Sequence, residues 1–119
     1  MSDLKPKRTK IELGGKEYGL LFNLNAIDDI QDKFDISISN MADLMSDERK
    51  VFKVLKFLLA TLINEAIDDD ESGEPHVTES FIGRKITPAK IPELKNAIMA
   101  AFSEGTPKSE DDDPNPQSE

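Results

Sequence analysis

The segment VFKVLKFLLATLINEA, residues 51–66, decides how the rest of this chain folds. When it is placed on a helix at about 100° per residue, its apolar side chains cover roughly half of the circumference. An arc of that width is typical of a helix that other elements cover on two sides, and burying one large apolar side chain is worth about 1.5–3 kcal/mol. The sequence therefore predicts a core helix whose inner arc is Val51, Phe52, Val54, Leu55, Leu58, Leu59, Leu62, Ile63 and Ala66.

The opposite stripe of this helix consists of Lys53, Lys56, Ala60 and Asn64. Phe57 interrupts that stripe, and two explanations stay open: it packs under a loop, or it is offered to a binding partner. Two explanations also stay open for the cations Arg49, Lys53 and Lys56. They form a solvated helix side, or they attract an acidic segment of this chain or of a partner.

Composition limits the class of protein. A chain of 119 residues with 37% hydrophobic residues fits a single domain, and a net charge of -9 argues against nucleic acid as the main partner. Disulfides, thiolate chemistry and Cys-based zinc sites are excluded because the chain has no cysteine. No segment resembles a signal peptide or a membrane span, so we expect a cytosolic protein with no membrane partner.

The N-terminal third predicts a β-hairpin followed by a short helix. Residues 9–22 alternate in polarity around Gly14-Gly15, and glycines accept the positive φ angles that a tight hairpin turn requires. Leu24–Phe34 then has helical spacing, with Asn23 as its N-cap. The inner face of this helix is expected to be Leu24, Ile27, Ile30 and Phe34.

Further helical segments are expected downstream. Residues 39–45 have the spacing of one or two helical turns, and Ser46 is expected to cap the central helix. A polar loop is predicted over residues 68–77, and Thr78 is placed as the cap of a short helix. Pro92 suits the first turn of a final amphipathic helix.

The predicted fold class is mainly α with a small N-terminal β-hairpin, arranged as a compact bundle of about four to five helices around the central apolar helix. We expect residues 1–8 to form a flexible basic arm and residues 9–105 to form a single globular domain. Residues 106–119 are rich in Pro, Asp, Glu and Ser, a composition that predicts a disordered acidic tail.

One acidic segment, residues 68–79, fits a metal-binding pattern. The pattern D-x-D-x-S-G-x5-E of calcium loops is matched by Asp68, Asp70, Ser72, Gly73 and Glu79. Pro75 weakens the match, because proline has no N–H to donate to a neighbouring loop, and such loops usually occur in pairs. A calcium-binding regulatory module and a solvated turn between helices are the two interpretations of this segment.

Catalytic patterns are not found in the sequence. His76 is the only histidine, and no G-x-S-x-G motif accompanies it. Gly14-Gly15 lacks the residues that would make it a phosphate-binding loop. We therefore expect a protein that is not an enzyme, with no catalytic residue, no cofactor and, apart from the calcium alternative, no metal site.

Three segments in order carry a family resemblance: KIELGGKEYGLLFNLNAIDDIQDKFD at residues 10–35, KVLKFLLATLINEA at 53–66 and VTESFIGRKITPAKIPELKNAIMAAFSEG at 77–105. This order resembles the tail assembly chaperones of long-tailed bacteriophages and prophages. The family pattern has two strands around a glycine turn and a helix ending near a phenylalanine. A strongly apolar helix, a threonine-led short helix and a terminal amphipathic helix follow.

The resemblance, which covers about residues 9–105, implies a non-structural assembly factor made in the host cytoplasm and absent from the finished virion. Its implied partners are the tape measure protein, which it keeps soluble, the tail tube protein, which it helps to recruit, and a longer frameshifted form of itself. A homo-oligomer is also plausible. No functional residue transfers, because the family has no catalytic motif. Phe57, Met99 and Met45 are candidates for exposed apolar contact, with a core position as the alternative.

Overall fold

The fold is described here from a computed structural model, which describes residues 8–105. Of the flexible basic arm predicted over residues 1–8, only Arg8 is described, and its side chain is ion-paired with Asp69 and Asp70. The disordered tail predicted over 106–119 falls outside the described residues. The elements are β1 Lys10–Leu13, β2 Lys16–Gly19, α1 Leu24–Phe34, α2 Met41–Ser46, α3 Val51–Asp70, α4 Glu79–Lys85 and α5 Ile91–Gly105, with 3-10 turns at Ile38–Asn40 and Pro88–Lys90. The predicted fold class, mainly α with an N-terminal hairpin, is confirmed.

The hairpin forms as its sequence predicts. β1 and β2 are antiparallel, with Ile11 opposite Tyr18. Gly14 and Gly15 form the turn with backbone φ angles of 60° and 84°, which residues that have a Cβ rarely adopt. Because Ile11 and Leu13 are buried, the hairpin lays its apolar face on the helices and is stabilised by them.

Helix α1 has its predicted start but a different inner face. The Asn23 side chain accepts a hydrogen bond of 2.9 Å from the Ala26 N–H, which confirms the predicted N-cap. The expected inward position of Leu24 is wrong, since its side chain is 83% exposed. Ala26 and Ile30 are the buried residues of α1, and Leu24 lies about 200° around the helix from Ala26.

Helix α3 is the centre of the molecule and packs against α1, α2, α4, α5 and β2. Ala60 was expected on the polar stripe, but it is only 7% exposed. Ala60 lies one turn after Lys56, which contacts α4, so a neighbouring helix covers this side as well. The buried residues of α3 are Val51, Val54, Leu55, Leu58, Leu59, Ala60, Leu62, Ile63, Ala66 and Ile67.

Helix α3 is longer at its C-terminal end than predicted. The expected loop over residues 68–77 is partly wrong, because the helix continues to Asp70. Buried Ile67 continues the apolar arc by one position and explains the extension. Glu71 then ends the helix in a left-handed conformation, with its N–H directed to the carbonyls of Ile67 and Asp68.

The start of α3 also differs from the prediction, since Ser46 does not cap it. Ser46 is the last residue of α2, where its hydroxyl donates to the carbonyl of Asp43. A turn over residues 47–50 follows, and the Asp47 carboxylate accepts a hydrogen bond of 3.0 Å from the Arg49 N–H. Lys50 precedes the helix without a side-chain capping bond. The Asp47 carboxylate therefore stabilises the turn before α3 and does not cap the helix.

Helices α4 and α5 begin as predicted. The Thr78 hydroxyl accepts a hydrogen bond of 3.0 Å from the Phe81 N–H, and Pro92 lies in the first turn of α5. Buried residues of the hairpin and of all five helices form one hydrophobic core. Within residues 8–105, none of the helices combines the length and apolarity that crossing a membrane requires.

Hydrogen bonds join the first described residues, Arg8 and Thr9, to the C-terminal ends of α3 and α5. The Thr9 N–H and hydroxyl donate to the two carboxylate oxygens of Glu104 at 3.0 and 2.8 Å. Arg8 donates to Asp69 and Asp70, each at 2.8 Å. The last helical residue, Gly105, lies so close to Phe22 that an added Cβ would be 2.5 Å from the Phe22 carbonyl oxygen.

A candidate protein-interaction groove

An open apolar groove of about 240 Å³ lies beside the N-terminal half of α3. One wall is α3 itself, and the other is the end of α4 with the connection into α5. The lining residues are Phe52, Leu55, Lys56, Gly83, Ile86, Thr87, Pro88 and Ile91. A concave apolar surface of this kind is the usual shape of a site that receives apolar side chains from a partner.

Phe52 is the exposed aromatic residue of this groove. The prediction that it faces the core is wrong, because the Phe52 side chain is 53% exposed. At its level, the neighbouring chain is the connection from Ile86 to Ile91 and not a continuous helix. Leu55, one turn further along, is fully covered and forms the floor. The same face of α3 is therefore buried at Leu55 and exposed to solvent at Phe52.

Gly83 allows α4 to approach α3 closely at the edge of the groove. An added Cβ on Gly83 would lie 3.1 Å from Cδ of Lys56 and 3.9 Å from its Nζ. The aliphatic part of Lys56 thus packs along α4, as lysine side chains do when only the ammonium group stays in water. The glycine has helical geometry, so its function at this position is close packing.

The groove has a cationic edge, which we define as Lys53, Lys56 and Lys90. Lys56 lines the groove, Lys53 lies one turn earlier on the same helix, and Lys90 precedes the lining residue Ile91. In the part of the chain that the structure describes, none of these three ammonium groups forms an ion pair.

The three apolar candidates from the sequence lie elsewhere. Phe57 is half-buried, with its ring centroid 5.4 Å from that of Phe34 at an interplanar angle of 87°. It therefore packs against its neighbours, but the end of helix α1 covers it and not a loop. Met45 is only 4% exposed and cannot serve as an exposed contact, and Met99 is half-buried against the core. The sequence did contain a sign of the groove, since Ile86 and Pro88 are apolar residues in the connection that leads to Ile91, the first residue of α5.

A second, smaller concavity lies between the hairpin and α4. Its volume is about 220 Å³, and its walls include Tyr18 and Phe81, whose ring centroids are 6.4 Å apart. Lys16 forms an ion pair of 3.0 Å with Glu74, and this hydrogen bond raises the pKa of Lys16. The charged groups of this concavity thus satisfy one another, and we assign no ligand to it.

The residues of the calcium pattern are dispersed in the structure. Asp68 and Asp70 belong to α3, whereas Glu79 is the first residue of α4. Oδ1 of Asp68 lies 2.8 Å from Nε2 of His76. Throughout residues 8–105, no group of three or more His, Asp or Glu side chains has an arrangement suited to a metal ion. Calcium binding at residues 68–79 would need a rearrangement of these elements, and it stays a prediction.

Arg8 gives the acidic end of α3 a structural role. Its guanidinium bridges Asp69 and Asp70 on the last turn of the helix. Burial lowers the pKa of Arg8, but the hydrogen bonds to Asp70 and Asp69 outweigh this effect and raise the pKa above its ordinary value. The two aspartates therefore hold the segment that leads into β1.

Comparison with known proteins adds no further assignment. The chain matches no family model, and no similar chain was found among curated proteins or among solved structures.

Proposed function

We propose that this chain is a phage tail assembly chaperone, a non-catalytic factor that binds the tape measure protein, keeps it soluble and helps to recruit tail tube subunits. The open groove at Phe52 is the observation that carries this proposal, because a holding protein needs accessible apolar area on a stable body. The groove supplies that area, while α3 is otherwise covered along most of its length.

The order of elements supports the proposal. The hairpin turns at Gly14-Gly15, α1 ends at Phe34, and the apolar helix α3 follows. A short helix led by Thr78 and the terminal helix α5 complete the series. This is the order that the resemblance to tail assembly chaperones implies for residues 9–105.

The shape and charge of the groove suit a helical partner. An amphipathic helix binds such a surface by placing apolar side chains at i, i+3 and i+4 into it, and aromatic residues such as Phe52 contribute strongly to contacts of this type. The net charge of -9 keeps the protein soluble while it exposes an apolar surface. The cationic edge would favour acidic residues beside the apolar stripe of the client.

The proposal includes a place and a sequence of events. The chaperone acts in the host cytoplasm, is displaced as the tube polymerises, and is absent from the mature virion. A longer frameshifted form and a second copy of the chain are further partners under this proposal. Each would bring additional apolar surface to the same long client.

Co-expression with a tape measure protein from the same genome tests the function. We expect wild-type chain to keep the client in the soluble fraction after centrifugation. Phe52→Ser should weaken binding of the purified client by about 30-fold, the effect of losing roughly 2 kcal/mol at an aromatic anchor.

Leu24→Ser is the matched control, because Leu24 is an exposed apolar residue on α1, outside the groove. This variant should retain client binding. If the wild-type chain leaves client aggregation unchanged, the proposed function is wrong. If both variants weaken binding equally, the groove is not the binding site.

A further inference from the structure

The cationic edge has no counter-charge at ion-pair distance among the described residues. Lys53 is exposed, Lys56 and Lys90 are half-buried, and their ammonium groups form no ion pair within residues 8–105. By contrast, Arg8 is paired with Asp69 and Asp70, and Lys16 is paired with Glu74. Three positive charges bordering one groove form a local field that attracts an acidic segment.

The chain itself carries such a segment shortly after α5. Glu110, Asp111, Asp112 and Asp113 are four consecutive acidic residues. They begin five positions after Gly105, the last residue of α5. The other run of four acidic residues, Asp68–Glu71, lies at the end of α3, where Arg8 contacts Asp69 and Asp70 and His76 contacts Asp68. The segment after α5 matches the cationic edge in sign and concentrates its charge in a short length.

The length of chain that follows Gly105 is sufficient for the acidic segment to reach the cationic edge. Helix α5 starts at the groove residue Ile91 and has 15 residues, so Gly105 lies about 21 Å from the groove along the helix axis. An extended chain covers at most about 3.3–3.6 Å per residue. Glu110 can thus reach roughly 17 Å from Gly105, and Asp113 can reach roughly 27 Å. Asp112 and Asp113, at the far end of the acidic segment, can therefore span the required distance, whereas the backbone of Glu110 falls short of it, and no long loop has to close.

We infer that the acidic segment Glu110–Asp113 binds to the cationic edge at Lys53, Lys56 and Lys90 of the same chain and neutralises it beside the groove. Single exposed ion pairs are weak. Here several charges act together, and the short connection from Gly105 gives the segment a high effective concentration. A partner with acidic groups would have to displace it, whereas a purely apolar partner would not.

Paramagnetic relaxation in the full-length chain tests this contact. Because the chain has no cysteine, Ser109→Cys accepts one spin label next to the acidic segment. At low salt we expect the label to broaden the amide signals of residues 49–56 and 86–91. The broadening should be lost at about 1 M salt, where the Debye length is about 3 Å.

Two variants of matched charge separate this contact from a general charge effect. In the first, Glu110→Gln, Asp111→Asn, Asp112→Asn and Asp113→Asn neutralise the segment, and we expect most of the broadening to disappear. In the second, the same number of charges is removed from exposed positions on α1 and α2, and the broadening should persist. The residues changed there are Asp28, Asp29, Asp32 and Asp43.

Several results would overturn the inference. These are broadening confined to the end of α5 and the region of Phe22, broadening that survives the neutralised segment or 1 M salt, and an equal loss in the control variant. The experiment contains no client, so its failure would leave the proposed chaperone function untested and intact. Failure of the co-expression experiment would in turn leave this intramolecular contact standing.

Discussion

Two phenylalanines of α3 meet different surroundings. Phe57 is half-buried: the ring of Phe34 lies edge-on to it at 5.4 Å between centroids, and Nζ of Lys33 lies 5.4 Å from the Phe57 centroid. Phe52 is 53% exposed, lines the groove and has no aromatic partner among the residues described. The helix is continuous through both positions, so the difference comes from the neighbouring elements.

The comparison of Phe52 and Phe57 shows that the elements which cover a core helix change along its axis. The C-terminal end of α1 covers Phe57, whereas the connection between α4 and α5 leaves Phe52 open. Most of the helix is buried in the core, whereas Phe52 in its first turn stays exposed beside the groove.

The largest expected effect is at the fully covered part of α3. Leu58→Ala removes a side chain that is 0% exposed, and it should lower the free energy of unfolding by about 2.5–5 kcal/mol. Urea unfolding of this variant and of wild type measures the difference. A loss below about 1 kcal/mol would mean that α3 is not the core helix that its burial indicates.

A direct comparison of the two phenylalanines comes next in size. Phe57→Ala should cost about 1.5–3 kcal/mol, because it removes a half-buried ring and its contact with Phe34. Phe52→Ala should cost less than about 1 kcal/mol, since more than half of its surface is already in water. If both variants lose the same free energy of unfolding in the urea titration, the two phenylalanines are equally buried and Phe52 belongs to the core.

The opposite end of α3 should respond to charge. Arg8→Gln breaks the bridge to Asp69 and Asp70 and should cost about 0.5–1 kcal/mol, less at high salt, because both carboxylates are about half exposed. The raised pKa of Arg8 keeps its contribution complete below the ordinary pKa of arginine, and it is lost only as the pH rises through the raised value. The difference between wild type and variant should thus be constant from neutral pH to about pH 10. A difference that disappears within that range would contradict this assignment.

The smallest expected effect concerns calcium. The dispersed positions of Asp68, Asp70 and Glu79 lead us to expect no change in melting temperature when calcium is added. Calorimetry on wild type and on Glu79→Gln measures this. A calcium-dependent rise in wild type that is lost in the variant would make the end of α3 a second functional region and restore the calcium module as a candidate.

Local chemistry explains which parts of the fold could be predicted from the sequence. The caps at Asn23 and Thr78 each depend on a hydrogen bond to an N–H three residues away, and the turn at Gly14-Gly15 depends on the φ range of glycine. The apolar arc of α3 is similarly a property of one segment. Such features need no knowledge of distant neighbours.

The groove could not be predicted because it depends on tertiary neighbours. A helical projection places Phe52 inside and Phe57 outside, but it contains no information about which element lies at each level. Ala60 is buried for the same reason, as α4 covers the supposed polar stripe. Ser46 shows the limit of local rules. Its hydroxyl donates to the Asp43 carbonyl at the end of α2, and the neighbouring Asp47 accepts the hydrogen bond from the Arg49 N–H in the turn before α3.

The bonds from Thr9 to Glu104 have a practical consequence for engineering. Since the two carboxylate oxygens of Glu104 hold the backbone and hydroxyl of Thr9, the first and last elements meet at one corner of the molecule. That corner adjoins the Arg8 bridge at Asp69, about 20 Å along α3 from Lys56. A circularly permuted chain could therefore be closed there with a short linker and opened in the exposed turn at residues 72–76. An affinity tag or a surface tether attached at the same corner would leave the mouth of the groove facing the solution.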